Sequence, residues 1–284
     1  MKVAAILIDT GRELLHRKTI IVYFGLVTLV LLFFALVLRT DVANGVIGSL
    51  SVGGLNGSAS PQGFQTVEGF VRNVQLGVAF LLYPLAILMS IFATASLVPR
   101  MLERGTVDLL LSKPITRPVL FLARYAGGVL TASLNLLYLT LGVAAILAWK
   151  TGVFNGGFVL SGLLMSLYFA CLFAYVVLAG VLLRSTTVSI LISAALFFAS
   201  LAVRLPHAHR DWALLITSRA GRATARGLVE ALYHALPQSY EFIAAAVALI
   251  RQEGSVPWGA VLGSAGVGTL ALLLAVAYFS RKDY

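Results

Sequence analysis

Six long stretches of this chain contain no aspartate, glutamate, lysine or arginine, and each is long enough to hold a helix that crosses a bilayer. They lie between Lys18 and Arg39, Arg72 and Arg100, Arg124 and Lys150, Lys150 and Arg184, Arg184 and Arg204, and Glu253 and Arg281. A spanning helix needs about 20 apolar residues, which places the spans near 19–38, 76–98, 126–149, 159–183, 186–203 and 259–280. Composition agrees. Sixty per cent of the 284 residues are hydrophobic and 11% are charged, against roughly 45–50% and 25% in soluble domains. So few charges cannot clothe a soluble globule. Soluble, disordered and collagen-like classes are excluded. The expected fold is all-α: one polytopic transmembrane domain over 1–284.

A seventh uncharged stretch, 42–67, is a poor lipid-exposed helix. It holds Gly45, Gly48, Gly53, Gly54, Gly57, Gly63 and Pro61, so it reads as an extramembrane loop. The apolar stretch 242–250 is too short to span and reads as one face of a helix at the membrane surface. The first eighteen residues carry Lys2, Asp9, Arg12, Glu13, Arg17 and Lys18 ahead of a run long enough to span, which is not the pattern of a cleavable signal.

The distribution of basic residues sets the expected orientation. With the N-terminus cytoplasmic, the inner side holds Lys2, Arg12, Arg17, Lys18, the five basic residues of 99–125, Arg184, Arg281 and Lys282. The two shorter outer loops hold only Arg39, Arg72 and Lys150. This favours both termini in the cytoplasm of a multi-pass protein of the cell (inner or plasma) membrane. The segment 204–258 opposes it with six arginines. The net charge of +10 points to anionic lipid headgroups, not nucleic acid.

The chain lacks a G-x-x-x-x-G-K-[ST] loop, an H-E-x-x-H pair and a G-x-S-x-G elbow. It is expected not to be an enzyme and to hold no cofactor. Cys171, the one cysteine, lies in an apolar run and reads as a buried structural residue. His207, His209 and Asp211 read either as a metal site or as a polar turn leaving the membrane, with the turn favoured. No acidic residue falls within an expected span. Ion-coupled transporters commonly place ionisable groups there, so the energy source is expected on another polypeptide.

The connection 99–125 reads PRMLERGTVDLLLSKPITRPVLFLARY. Thr106 is placed to cap a short helix through Ser112, with Asp108 near its positive end. Leu109, Leu110 and Leu111 give it an apolar face, and Pro114 ends it. Such a helix reads equally as a docking knob for a cytosolic partner and as an ordinary interfacial helix.

These residues resemble the permease subunits of type-2 ATP-binding-cassette (ABC) transporters. The loop after the second span of that family reads close to E-x-G-T-x-x-x-L-L-x-x-P-x-x-R. Glu103, Gly105, Thr106, Leu110, Leu111, Pro114 and Arg117 match it in order. Residues 3–18 look like the family's amphipathic elbow helix, Arg184-Ser-Thr-Thr like its short cytoplasmic turn, and the segment from Phe279 to Asp283 and Tyr284 like its basic tail. The resemblance implies a coupling-helix loop over 99–118 that docks on a partner. Glu103, Arg104, Gly105, Thr106, Asp108, Leu109, Leu110, Pro114 and Arg117 are the implied contact residues, with Glu103, Arg104, Thr106 and Asp108 on the ATPase and Leu109–Leu111 on the bundle. It implies two cytosolic ABC ATPase subunits that hold ATP and Mg, and a second permease subunit, most simply a homodimer. The competing readings are a stand-alone secondary transporter or channel, and a membrane enzyme acting on lipid.

Other positions carry weaker signals. Gly259 and Gly263 form a GxxxG, read as a helix contact or as plain packing. Pro84 sits inside the second span, where it introduces a kink. Asn135 and Tyr138 face either a substrate route or a neighbouring helix. The segment 204–258 is expected to be an extracytoplasmic helical loop, with helical spacing at Leu228, Val229, Leu232 and Leu236 and a second helix through 240–251.

Overall fold

The computed structural model describes residues 18–43, 46–52, 55–57, 66–97, 99, 116–183, 185–208 and 219–281. Helices dominate. In chain order they are α1 Lys18–Val37, α2 Val67–Thr94, α3 Arg117–Thr151, α4 Gly156–Leu183, α5 Thr186–Ala208, α6 Arg219–Ala235, α7 Ser239–Arg251 and α8 Trp258–Arg281. Among the described residues, five regions are long and apolar enough to cross a membrane: α2, α3, α4, Thr187–Arg204 of α5, and α8. The first expected span falls on α1, which is 20 residues long. The expected elbow helix at 3–18 lies outside the described residues except at Lys18.

Strands occur among the described residues only between α1 and α2. There β1 Leu38–Ala43, β2 Val46–Val52 and β3 Leu55–Gly57 form an antiparallel meander in the order β1-β2-β3. Register runs from Leu38 opposite Val52 to Ala43 opposite Val46, then from Leu50 opposite Gly57 to Val52 opposite Leu55. Part of the glycine-rich stretch expected to be a loop is therefore paired strand.

The helices run past the uncharged stretches. Thr66 caps α2 by accepting from the Gly69 N–H at 3.1 Å, with Glu68 in the first turn. The helix thus starts before residue 76 and carries Glu68 and Arg72 on its first turns. Its centre holds a π-helical segment, Val78–Leu82, where the Tyr83 N–H donates to the Val78 carbonyl. Pro84 has no N–H for the Phe80 carbonyl. The wider turn just before it is the local answer to that missing donor.

Helix α4 is the hub. Phe158, Met165, Tyr168, Phe169, Leu172 and Phe173 are wholly buried, and α3, α5, α7 and α8 all pack on it. The close α8 contact comes at Gly268, where a methyl group would stand 3.0 Å from the Cys171 Cα. Gly259 and Gly263 of the GxxxG instead meet nothing within 4 Å. The outer surface is a belt of exposed Leu, Val and Phe on α1, α4 and α8, the expected face toward hydrocarbon.

The segment after α5 departs from the sequence reading. Helix α7 is not a surface helix. Phe242, Ala245, Ala246 and Ile250 are wholly buried. Ser239, at its start, meets Tyr168 midway along α4, and its end reaches Gly157 at the first turn of α4. A methyl group at Gly157 would overlap the Leu249 carbonyl, so only glycine permits this backbone approach. Thirteen residues are too few to span but enough to run from mid-height to the end of α4. Helix α7 thus lies inside the bundle, whereas α6, joined to it by a short turn, keeps most of its length exposed.

Candidate functional site

Three polar assemblies interrupt the apolar bundle. The first fastens the turn between α6 and α7. Backbone that leaves a helix at membrane depth is tolerated only where protein satisfies it. Here the Gln238 N–H donates to Ser264 Oγ of α8 at 3.2 Å, and the Tyr175 hydroxyl donates to the Ala235 carbonyl at 2.8 Å. The hydroxyls of Tyr168 and Ser239 lie 2.5 Å apart, and Ser200 of α5 bonds the same Ser239 Oγ. Three long helices therefore hold one turn through hydroxyls.

The second assembly is charged. The Arg204 guanidinium pairs with the Glu241 carboxylate at 3.2 Å and lies 4.3 Å from the centre of the Tyr240 ring. The Tyr233 hydroxyl donates to the same carboxylate at 3.2 Å. Glu241 was expected in a surface loop. Helix α7 instead carries it within two residues of Ser239, beside the end of α5. Sequence reasoning missed this carboxylate because nothing in the pattern reports the depth of α7. The signal was Pro237 between two helical patterns.

The third lies where the α3–α4 turn meets α2 and α7. Asn155 Nδ2 donates to Gln75 Oε1 at 2.8 Å and to the Ile250 carbonyl at 2.9 Å. Its Oδ1 accepts from the Gly157 N–H and from Gln252 Nε2, each at 3.0 Å. All four hydrogen-bonding positions of this amide, two N–H groups and two lone pairs, are used. Beside it Arg72 pairs with Glu253 at 3.3 Å. Glu68, Arg72, Asn155 and Gln252 border a polar cavity of about 150 Å³.

The opposite end of the bundle anchors the connection expected to dock a partner. Glu103, Arg104, Gly105, Thr106, Asp108, Leu109, Leu110 and Pro114 lie outside the described residues. The flanks are described. Leu97 and Pro99 are buried, with Leu97 packed near Gly128 of α3 and Pro99 against Gly180 of α4. On the other side Thr116 is the N-cap of α3, Arg117 its first residue, and Pro118 fills the N1/N2 region, where a missing N–H costs nothing. Phe121 stacks on Phe279 of α8 at 5.2 Å, and Tyr125 on Phe173 of α4 at 5.6 Å. Both ends of the connection thus pack on α4, through Pro99 at Gly180 and Tyr125 at Phe173. The short turn into α5 is near it: Ser185 accepts from the Ser189 N–H at 3.1 Å.

Tyr138 is helix glue: its hydroxyl lies 3.2 Å from Thr28 Oγ1 of α1 and its ring 6.2 Å from Phe24. Asn135 is wholly buried, and neither its Oδ1 nor its Nδ2 has a hydrogen-bond partner. Cys171 is buried and free, as its apolar surroundings imply. His209 and Asp211 lie outside the described residues, and so does the side chain of His207. Among the described residues no three His, Cys, Asp or Glu side chains come together as a metal site.

The fold and these assemblies define a helical membrane protein in which one short helix, α7, is buried among the long ones. The chain matches no protein-family model and no curated protein.

Proposed function

We propose that this chain is the membrane-spanning permease subunit of an ABC transporter, with α1 as the sixth span and both termini cytoplasmic. ATP hydrolysis resides on two separate cytosolic ATPase subunits, and two permease subunits pair to form the translocation route. One observation carries the reading: the pattern Glu103 to Arg117 joins two helix ends that both pack on α4. A push from below on that connection reaches α2 and α3 together. That is a rigid-body account: closure of the ATPase pair moves the coupling helix, and the coupling helix moves the spans. Deleting 103–113 and testing co-purification with the cytosolic ATPase is the experiment. Loss of the ATPase with normal membrane insertion supports the reading. Retention of the ATPase removes it.

The Arg204–Glu241 pair favours a second reading, a stand-alone transporter coupled to an ion gradient, because ionisable groups inside a helical bundle commonly mark ion pathways. The purified chain alone, reconstituted in vesicles, decides between the two. Uphill solute movement without ATPase selects the second.

A further inference from the structure

Helix α6 places charge where the bundle's surface should be apolar. Its last residue is fixed in depth: the Ala235 carbonyl takes the Tyr175 hydroxyl at 2.8 Å. Tyr175 lies about two turns inside the end of α4 at Leu183, within the thickness that α4 spans. His234 is the neighbouring residue, and its imidazole is 3.6 Å from Glu230 one turn earlier. Both side chains are exposed, at 65% and 49%.

At the same depth another face looks different. Gly268 of α8 meets Cys171 of α4, so the next turn of α8 is level with Tyr175. There the exposed residues are Leu273 and Leu274, a surface suited to lipid tails. Ionisable side chains facing hydrocarbon are strongly disfavoured. Hydrocarbon therefore does not cover His234 and Glu230, whereas it suits Leu273.

We propose that the face of α6 bearing His234 and Glu230 lines a water-filled vestibule within the membrane, which takes hydrated polar solutes rather than acyl chains. The inference rests on the reading that this chain forms a transport route, and it deepens that reading by naming the class of solute. The paired carboxylate and imidazole offer both acceptor and donor groups to a solute passing along α6. The hydroxyl contacts at the turn between α6 and α7 hold that face at depth.

The test uses the full chain in lipid nanodiscs, with Cys171→Ala as background. His234→Cys and Leu273→Cys are each exposed to the charged reagent 2-(trimethylammonium)ethyl methanethiosulfonate, which reacts with thiolate in water. The expected result is at least tenfold faster modification at position 234 than at 273. Equal rates overturn the proposal. So does a spontaneous disulfide at 234 between two copies with no reaction toward the reagent, which makes this face a protein seal. A second measurement does not depend on cysteine variants. Glu230→Leu combined with His234→Leu should leave Tm unchanged or lower it, because leucines facing water gain nothing. A Tm rise above about 4 °C means the face meets lipid and overturns the proposal. Neither assay contains ATPase or nucleotide, so failure of ATPase co-purification leaves both readable.

Discussion

The hydroxyls of Tyr168 and Ser239 meet at 2.5 Å across 71 positions of sequence. The pair joins the centre of the most buried helix to the start of α7. Ser200 shares the same Ser239 oxygen. A hydroxyl in a dry interior is stabilising only while its partners remain, since an orphaned buried group costs about 1–3 kcal/mol. Hydroxyl contacts at its start and the buried face of Phe242, Ala245, Ala246 and Ile250 together hold α7 in place.

Tyr168→Phe should lower stability by about 0.5–1.5 kcal/mol without changing insertion, because Ser239 keeps Ser200 as a partner. Thermal unfolding in detergent measures it. Combined with Ser239→Ala, the loss should be less than the sum of the two single losses, because both remove one interaction. Strict additivity would mean that the hydroxyls do not interact.

Asn135→Leu should stabilise the chain. The amide's two polar atoms lack partners in a wholly buried setting, and an apolar side chain of similar size removes about 1 kcal/mol or more of unrecovered desolvation. A clear fall in Tm would contradict the assignment of Asn135 as unpartnered.

Arg204→Met alone should destabilise more than Arg204→Met with Glu241→Gln. The single change strands a carboxylate that is 16% exposed, whereas the double change leaves a neutral amide that can still accept the Tyr233 hydroxyl. Partial exposure of Arg204 keeps the difference near about 1–2 kcal/mol, below the range for fully buried pairs. Chemical denaturation of the two variants compares them. Equal losses would remove the pair as a structural element.

Gly157→Ala and Gly263→Ala should behave oppositely. The first drives a methyl group into the Leu249 carbonyl and separates α4 from α7, while the second places a methyl group in open space. Fluorescence-detected chromatography after heating should show early aggregation for the first and an unchanged profile for the second. Matching profiles would mean that the α4–α7 approach is not close.

The spans were legible because charge punctuates them: α3, α4, α5 and α8 fall on the uncharged stretches. Their true ends were not, because a cap such as Thr66 or a Pro118 start extends a helix past a charged residue that snorkels or pairs. The burial of α7 was hidden for a different reason. Periodicity reports which face of α7 is apolar, not what covers it, and a 13-residue apolar helix has the same pattern on headgroups as against Tyr168 of α4. The Asn155 clamp gave no sequence signal, since its partners Gln75, Ile250 and Gln252 are remote and individually ordinary. The coupling motif was the reverse case: Glu103 to Pro114 are legible as letters and lie outside the described residues, with only Arg117 and the buried flanks placed.

As a permease subunit, the chain is proposed to borrow its work through the connection between α2 and α3. Glu103→Lys tests it most directly, measured as ATP hydrolysis by the reconstituted complex with its cytosolic partner. The account predicts that the variant inserts normally, that permease-stimulated hydrolysis falls toward the level of the ATPase alone, and that transport stops. Normal stimulation and transport with lysine at position 103 would contradict it.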